Sequence, residues 1–265
     1  MPAIELLTGF VTAPSTTFTA LTMAAGNSLT IRSTGQDAAI RLLQVWADSQ
    51  VAGNLRIRSP RMHDNVQGLR LRHVASEVQP LLPAAFKEQL FPQDDLVAEM
   101  TGSATASDIE TACLLIYYSD IPGIAARFIT PEELAARGRH VLTVENSIAT
   151  GTAGGYSGEE ALNAEFDLLK ANTDYALPGY LVSAECAAVR WRGVDLGNLG
   201  VGGPGNETRP DLTHNWFERL SIEAGVPLIP VINATNVAGI LVDAAQDENG
   251  TDVILTTILV ELERG

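Results

Sequence analysis

The sequence predicts an all-β chain folded as two tandem β-sandwiches. Three observations predict it: repetition on the scale of a domain, short segments of alternating polarity, and turn residues between those segments. The repetition comes first, because a missed repeat misassigns the whole fold. Ala38-Ala39-Ile40-Arg41 returns as Ala187-Ala188-Val189-Arg190, at an offset of 187 − 38 = 149. Pro80-Leu81-Leu82-Pro83 returns as Pro227-Leu228-Ile229-Pro230, at 227 − 80 = 147. Leu96-Val97 and Ser107-Asp108-Ile109 return as Leu241-Val242 and Thr251-Asp252-Val253, at 145 and 144. A period of that size is a whole domain with its own core, and 265 residues hold two.

The elements follow in chain order. Met1 to Ser15 reads either as a disordered terminus or as an arm. Phe18 to Met23 alternates with threonine, and Leu29 to Arg32 follows a Gly26-Asn27 turn; both read as strands. Ile40 to Trp46 is another. Asn54-Leu55-Arg56-Ile57-Arg58 and Gly68-Leu69-Arg70-Leu71-Arg72 alternate strictly, so each has an apolar face and an arginine face. A weak helix is expected from Ala84 to Leu90. Ile109 to Tyr118 and Val253 to Leu262 are apolar runs with little alternation, expected to be buried on both faces. The Asp247-Glu248-Asn249-Gly250 turn before the latter favours a type I′ hairpin.

Thr130-Pro131-Glu132-Glu133 combines an N-cap, a first-turn proline and a capping-box glutamate, which opens a helix ending at Arg137-Gly138. Ser157-Gly158-Glu159-Glu160 predicts a second helix over Ala161 to Ala171. Thr150-Gly151-Thr152-Ala153-Gly154-Gly155 reads as the joint. The expected domains are residues 1–150, with the arm and a connecting helix, and residues 151–265, with a leading helix. Eight-stranded sandwiches with these connections point to jelly rolls, the architecture of capsid, lectin and cupin domains.

Composition narrows the function. The net charge is −15, with Lys87 and Lys170 the only lysines, and no local run of basic residues offers nucleic acid a footing. Cys113 and Cys186 sit in apolar runs and read as buried free thiols. The N-terminus carries no secretory signal pattern, and the apolar region from Val226 to Ala245 is too interrupted to span a membrane.

His63, His73, His140 and His214 are too far apart in sequence to form a local ligand pair, which argues against a bicupin. There is no Gly-x-Ser-x-Gly elbow. Gly200 to Gly205 reads as a surface loop, and Asp94-Asp95 and the Asp247–Asp252 turn as solvated tips. The sequons at Asn206, Asn233 and Asn249 read as chance matches. Trp46, Trp191 and Trp216 read as core or interface residues. The sequence therefore assigns no catalytic, cofactor-binding or metal-ligating residue and no cofactor, and no enzyme is expected.

Total length, tandem β domains, the short arm before Gly26-Asn27-Ser28-Leu29-Thr30-Ile31 and the helices between Thr130 and Ala171 resemble one family over the whole chain. It is the double jelly-roll major capsid proteins of tailless bacteriophages, in their compact corticovirus-like and finnlakevirus-like forms. The resemblance implies a trimer of pseudo-hexagonal outline in an icosahedral shell, synthesised in the host cytoplasm and located in the virion. It gives Met1 to Ser15 the role of an arm reaching a neighbouring subunit. It implies partners: the chain itself as homotrimer, neighbouring capsomers, and penton or membrane-associated capsid proteins. It implies no direct nucleic acid contact and only indirect contact with an internal membrane. Another virion or surface component (spike, tail or carbohydrate-binding protein) and a bicupin-like enzyme stay open as alternatives.

Overall fold

The computed structural model describes residues 1–265 except 25–26, 63–64, 76, 83–87, 150, 165–168, 247–251 and 264–265. The expected turn at Asp247 to Gly250 lies outside the described residues. The chain is mostly β-strand with a few short helices, and every strand pairing among the described residues is antiparallel.

The first half supplies β1 (Ala3–Thr12), β2 (Thr19–Ala20), β3 (Thr22–Met23), β4 (Ile40–Asp48) and β5 (Gly53–Arg58). It continues with β6 (Leu69–His73), β7 (Gln79–Pro80), β8 (Glu88–Leu90), β9 (Val97–Met100) and β10 (Ile109–Tyr118). The large sheet runs β3-β1-β10-β4-β7, with β8 also on β4, and the small sheet runs β2-β9-β5-β6. Leu42, Val45, Leu114 and Ile116 of the large sheet meet Leu55, Ile57, Ala98 and Met100 of the small one in a single core.

The second half supplies β11 (Phe128–Ile129), β12 (Gly138–Ile148), β13 (Glu160–Ala161), β14 (Asp174–Val182) and β15 (Cys186–Arg192). It ends with β16 (Val201–Gly205), β17 (Ile229–Asn233), β18 (Leu241–Ala245) and β19 (Val253–Leu262). Its sheets run β11-β17-β14-β19-β12 and β13-β18-β15-β16. Tyr180, Leu255 and Leu259 face Val189, Trp191 and Val242 across its core.

The second half repeats the pairings of the first. β1 pairs β10, β2 pairs β9, β4 pairs β8 and β5 pairs β6. In the same order, β12 pairs β19, β13 pairs β18, β14 pairs β17 and β15 pairs β16. This is one long hairpin rolled up so that its four rungs alternate between two sheets. The matching strands start at 138 − 3 = 135 (β1, β12), 174 − 40 = 134 (β4, β14) and 253 − 109 = 144 (β10, β19). The blocks at Leu96-Val97 and Ser107-Asp108-Ile109 fall on matching strands, whereas the Pro80 block sets β7 against β17, whose match is β8. The first block does not match either, since it equates β4 with β15, one rung out. The jump of about ten residues comes from α2 (Pro210–Thr213) and α3 (Trp216–Ala224), which lengthen the second half between β16 and β17.

Several expectations are corrected. Ala3 to Thr12 is no arm: it is the strand between β3 and β10, and almost every residue is buried, because Ile4, Leu6, Leu7 and Val11 have apolar surface to hide on both faces. Phe18 to Met23 is split, with Thr19–Ala20 in the small sheet and Thr22–Met23 in the large one. Leu29 to Arg32 is reduced to one bridge, Thr30 to Asp95.

Ser157 opens no helix among the described residues, and 165–168 of the expected Ala161–Ala171 helix lie outside them. Its hydroxyl accepts from the Ala244 N–H, and Glu160–Ala161 is a strand. Of the expected Ala84–Leu90 helix, the described part, Glu88–Leu90, is a strand on β4. β12, which lies before residue 150, pairs along its length with β19, so the sheets of the second half begin ahead of the glycine-rich joint.

The helix α1 (Pro131–Arg137) is as expected, with Thr130 and Glu133 forming the capping box. Residues 109–118 are buried on both faces, as expected, but β19 alternates between buried and partly exposed.

Candidate assembly surfaces

The two sandwiches stack through one seam. The outer face of the first large sheet lies on the outer face of the second small sheet, so β1, β4 and β10 touch β15 and β16. Ile4, Leu6, Trp46, Cys113 and Leu115 join the core of the second sandwich there. The Trp46 indole donates to the Ala187 carbonyl at 2.7 Å, and its ring stands edge-on to Trp216 at 5.8 Å between centroids. The Asn206 amide donates to the Val78 carbonyl across the seam. All three tryptophans are fully buried. Both cysteines are buried and neither is in a disulfide, and burial pushes the Cys113 thiol up to about 12.

Gly200 to Gly205 is not a surface loop. Val201–Gly205 is a fully buried strand, and the Leu6 N–H donates to the Gly200 carbonyl at 2.7 Å. A Cβ on Gly202 would stand 2.7 Å from Leu6, and one on Gly203 would stand 2.6 Å from the Trp216 indole nitrogen. The glycines are there because two other layers press on the strand.

One polar cluster lies in the seam. Arg190 on β15 binds Asp243 on β18 with both oxygens, at 2.9 and 2.5 Å, and Arg192 reaches the same carboxylate at 3.4 Å. The Tyr156 ring lies 3.4 Å from the Arg190 guanidinium, and its hydroxyl shares a hydrogen bond with Thr8 of the first sandwich. Burial works against the Arg190 charge; the bonds to Asp243 overcome it and raise its pKa. Glu159 pairs with Arg192, so two guanidiniums meet two carboxylates. A cleft of about 600 Å³ opens beside the cluster, between Phe10, Met23 and residues 152–157. With its charges balanced, the cluster acts as a latch between the sandwiches.

The same constellation stands on the matching strands of the first sandwich. Arg56 and Arg58 on β5 bind Glu99 on β9 at 2.8 and 3.0 Å, and the Phe18 ring lies 4.2 Å from the Arg56 guanidinium. Arg56 faces Glu99 in the ladder as Arg190 faces Asp243. The offsets are 190 − 56 = 134, 192 − 58 = 134 and 243 − 99 = 144, those of the strands themselves. Burial would raise the Glu99 carboxyl, but hydrogen bonds from Arg58 and Arg56 outweigh it and hold it below the usual range.

This second cluster is less deeply buried than the first, with Glu99 buried and Arg56 and Arg58 partly exposed. The pairing of β5 with β6 gathers Arg56, Arg58, Arg70 and Arg72 on one outer face, joining the arginine faces of the two alternating runs into a basic patch.

The remaining singled-out residues separate. His73 is buried between the Ser49 hydroxyl and the Thr101 carbonyl, His140 is exposed on β12, and His214 closes α2. His63 lies outside the described residues. No group of three or more His, Cys, Asp or Glu side chains comes together among the described residues. Asp94 is buried, not at a solvated tip, and accepts from Ser59, while Asp95 accepts from Thr30. Asn233 caps a short helical turn through the Thr235 N–H. No helix among the described residues is long and apolar enough to cross a membrane.

No protein-family model matches the chain, and no curated protein matches it. Among solved structures, the PBSX exported protein XepA aligns over 97% of this chain and 86% of its own length, with 10% identity and a TM-score of 0.27. A likeness at that level carries no argument.

Proposed function

We propose that this chain is a structural virion protein: a double jelly-roll major capsid protein whose trimers form pseudo-hexagonal capsomers of an icosahedral shell. The observation that carries the reading is the eight-strand wrap made twice, with the sheet orders β1-β10-β4-β8 and β2-β9-β5-β6 repeated as β12-β19-β14-β17 and β13-β18-β15-β16. Rolling up a four-rung hairpin is what makes a jelly roll, and capsids are among its main uses. On this reading the first jelly roll ends at Tyr118 and the second begins near Phe128. Two similar units per chain let a threefold assembly present six, which is how a trimer fills a nearly hexagonal tile.

The packing supports a structural role over a ligand-holding one. Leu55, Ile57, Leu114 and Met100 fill the first sandwich, and Tyr180, Trp191, Phe217 and Leu259 fill the second. Cupin and lectin jelly rolls need a lined pocket or an exposed platform, and here the three tryptophans are spent on the core. The partners on this reading are copies of the chain, neighbouring capsomers, and penton or membrane-associated proteins. It places the protein in the virion, without direct nucleic acid contact and with only indirect contact with an internal membrane.

Light scattering after size exclusion, with electron microscopy of the same fraction, tests it. The expected result is a particle of three times the 28.2 kDa chain mass with a hexagonal outline. A stable monomer at all concentrations would overturn it.

A further inference from the structure

We infer that the Phe18–Arg56–Glu99–Arg58 face of the first sandwich is the docking surface for a second copy of this chain, which seats the outer face of its own β12 and β19 there. The inference deepens the capsid reading and rests on it for the number of copies in the assembly.

The argument starts from the seam. Inside the chain, a large-sheet outer face covers a small-sheet outer face. What the chain leaves uncovered is the small sheet of the first sandwich and the β12–β19 side of the second large sheet, whose other side is buried around Ala176, Ile229 and Val231 with Leu134 of α1 against it. The uncovered small sheet carries the same aromatic–arginine–acid–arginine constellation as the covered one, on the matching strands and in the matching register. The inner pair differs in cover: the Arg190 and Asp243 side chains are 5% and 2% exposed, and their counterparts Arg56 and Glu99 are 18% and 10% exposed. The outer arginines, Arg192 and Arg58, are alike at 32% and 29%.

The uncovered side of the large sheet has the complementary character. Its outward rows are Val141, Thr143 and Glu145 on β12 and Ile254, Thr256 and Ile258 on β19. Val141 is 71% and Ile254 45% exposed, two of the few large apolar residues that face solvent. At the strand offset of 135, Val141, Thr143 and Glu145 correspond to Leu6, Thr8 and Phe10 on β1, and the partners Val260, Ile258 and Thr256 correspond to Leu115, Cys113 and Thr111 on β10. Of these, Leu6, Cys113 and Leu115 fill the seam inside the chain.

Charge selects the pairing. The small-sheet face sets Arg56, Arg58, Arg70 and Arg72 against Glu99, and Glu145 is the charged side chain on the opposing rows. Arg70 stands where the seam has Gly202, so the contact between copies is looser and more polar than the one within the chain. Because the two faces differ, the contact is heterologous: it closes a ring or continues as a filament, and a two-fold dimer does not satisfy it.

The test uses two exposed double variants of the full chain, each checked by circular dichroism. Arg70→Glu with Arg72→Glu spoils one face; Val141→Asp with Ile254→Asp spoils the other. Each variant alone is expected to run as a monomer under conditions in which the wild type assembles. Mixed in equal amounts, they are expected to form a heterodimer and nothing larger, since each supplies the face that the other lacks. Heterodimer formation also shows that both variants fold. Val66→Asp with Ile222→Asp, exposed elsewhere, is expected to assemble normally.

Either double variant assembling like the wild type, or a mixture that stays monomeric, overturns the surface. If the wild type then still forms trimers, the capsid reading stands without it. Wild-type filaments built through these faces keep the surface and end the capsid reading. Binding of single-stranded DNA that Arg70→Glu with Arg72→Glu abolishes, with assembly unchanged, assigns the arginine face to nucleic acid and overturns the proposal.

Discussion

β10 and β19 hold the same place in their sandwiches, each flanked by the first and third strands of its wrap, yet they are buried differently. β10 is covered on both faces, and β19 is covered on one. The strand position does not set this. The seam does, by laying the second small sheet over β1, β4 and β10 and leaving β12 and β19 with an open face, while β14 is covered on both faces. The arginine clusters repeat the lesson with the signs exchanged: the second sandwich has the more deeply buried copy, and the first has the more open one. Equivalent strands thus carry equivalent side chains, and the neighbour decides whether those side chains are core or surface.

The largest test of this contrast removes the acid from each cluster. Asp243→Ala strands two guanidiniums, one of them fully buried, and is expected to cost about 3–5 kcal/mol in urea unfolding. Glu99→Ala leaves Arg56 and Arg58 within reach of water, and about 1 kcal/mol or less is expected. Equal costs would break the comparison.

Gly202→Ala is expected to lose about 1–3 kcal/mol by forcing a Cβ onto the Val189 carbonyl of β15 and against Leu6 across the seam, measured as a lower urea midpoint at unchanged slope. A neutral result would mean that β16 can shift away from both neighbours. Thr130→Ala, which removes the cap of α1 away from the seam, is expected to cost about 1 kcal/mol.

The last effect is one of pH. Burial lowers the His73 pKa, against a smaller upward pull from its bond to the Thr101 carbonyl. A depressed histidine pKa stabilises the fold above its unfolded value of about 6.5 and ceases to do so as the pH falls through the folded value. The matching strand β16 carries no histidine, so the acid-side loss is expected to vanish in His73→Gln, read as the difference in melting temperature between pH 7.5 and 5.

Much of the fold was legible in the sequence. The alternation in β5 and β6, the capping box of α1 and the apolar run of β10 are local signals, and each marks its element. What was not legible depends on distant partners. β1 looks like an arm until β3 and β10 flank it, and Gly200 to Gly205 looks like a loop until Leu6 and Trp216 press on it.

α3 was legible and went unread. Trp216, Phe217, Leu220 and Ser221 recur at helical spacing, and Gly225 ends the helix in a left-handed conformation. The arginine–acid clusters were the hardest to see. Arg190 and Asp243 lie 53 residues apart, and their likeness to Arg56 and Glu99 emerges only when the halves are aligned rung by rung.

The most direct measurement is side-chain footprinting by hydroxyl radicals on dilute and assembled protein. Phe18, Val141 and Ile254 should gain protection on assembly, while Val66 and Ile222 should stay as reactive as before. Unchanged reactivity at the first three residues, or protection at Val66 and Ile222 instead, would contradict the claim that the seam within the chain is repeated between chains.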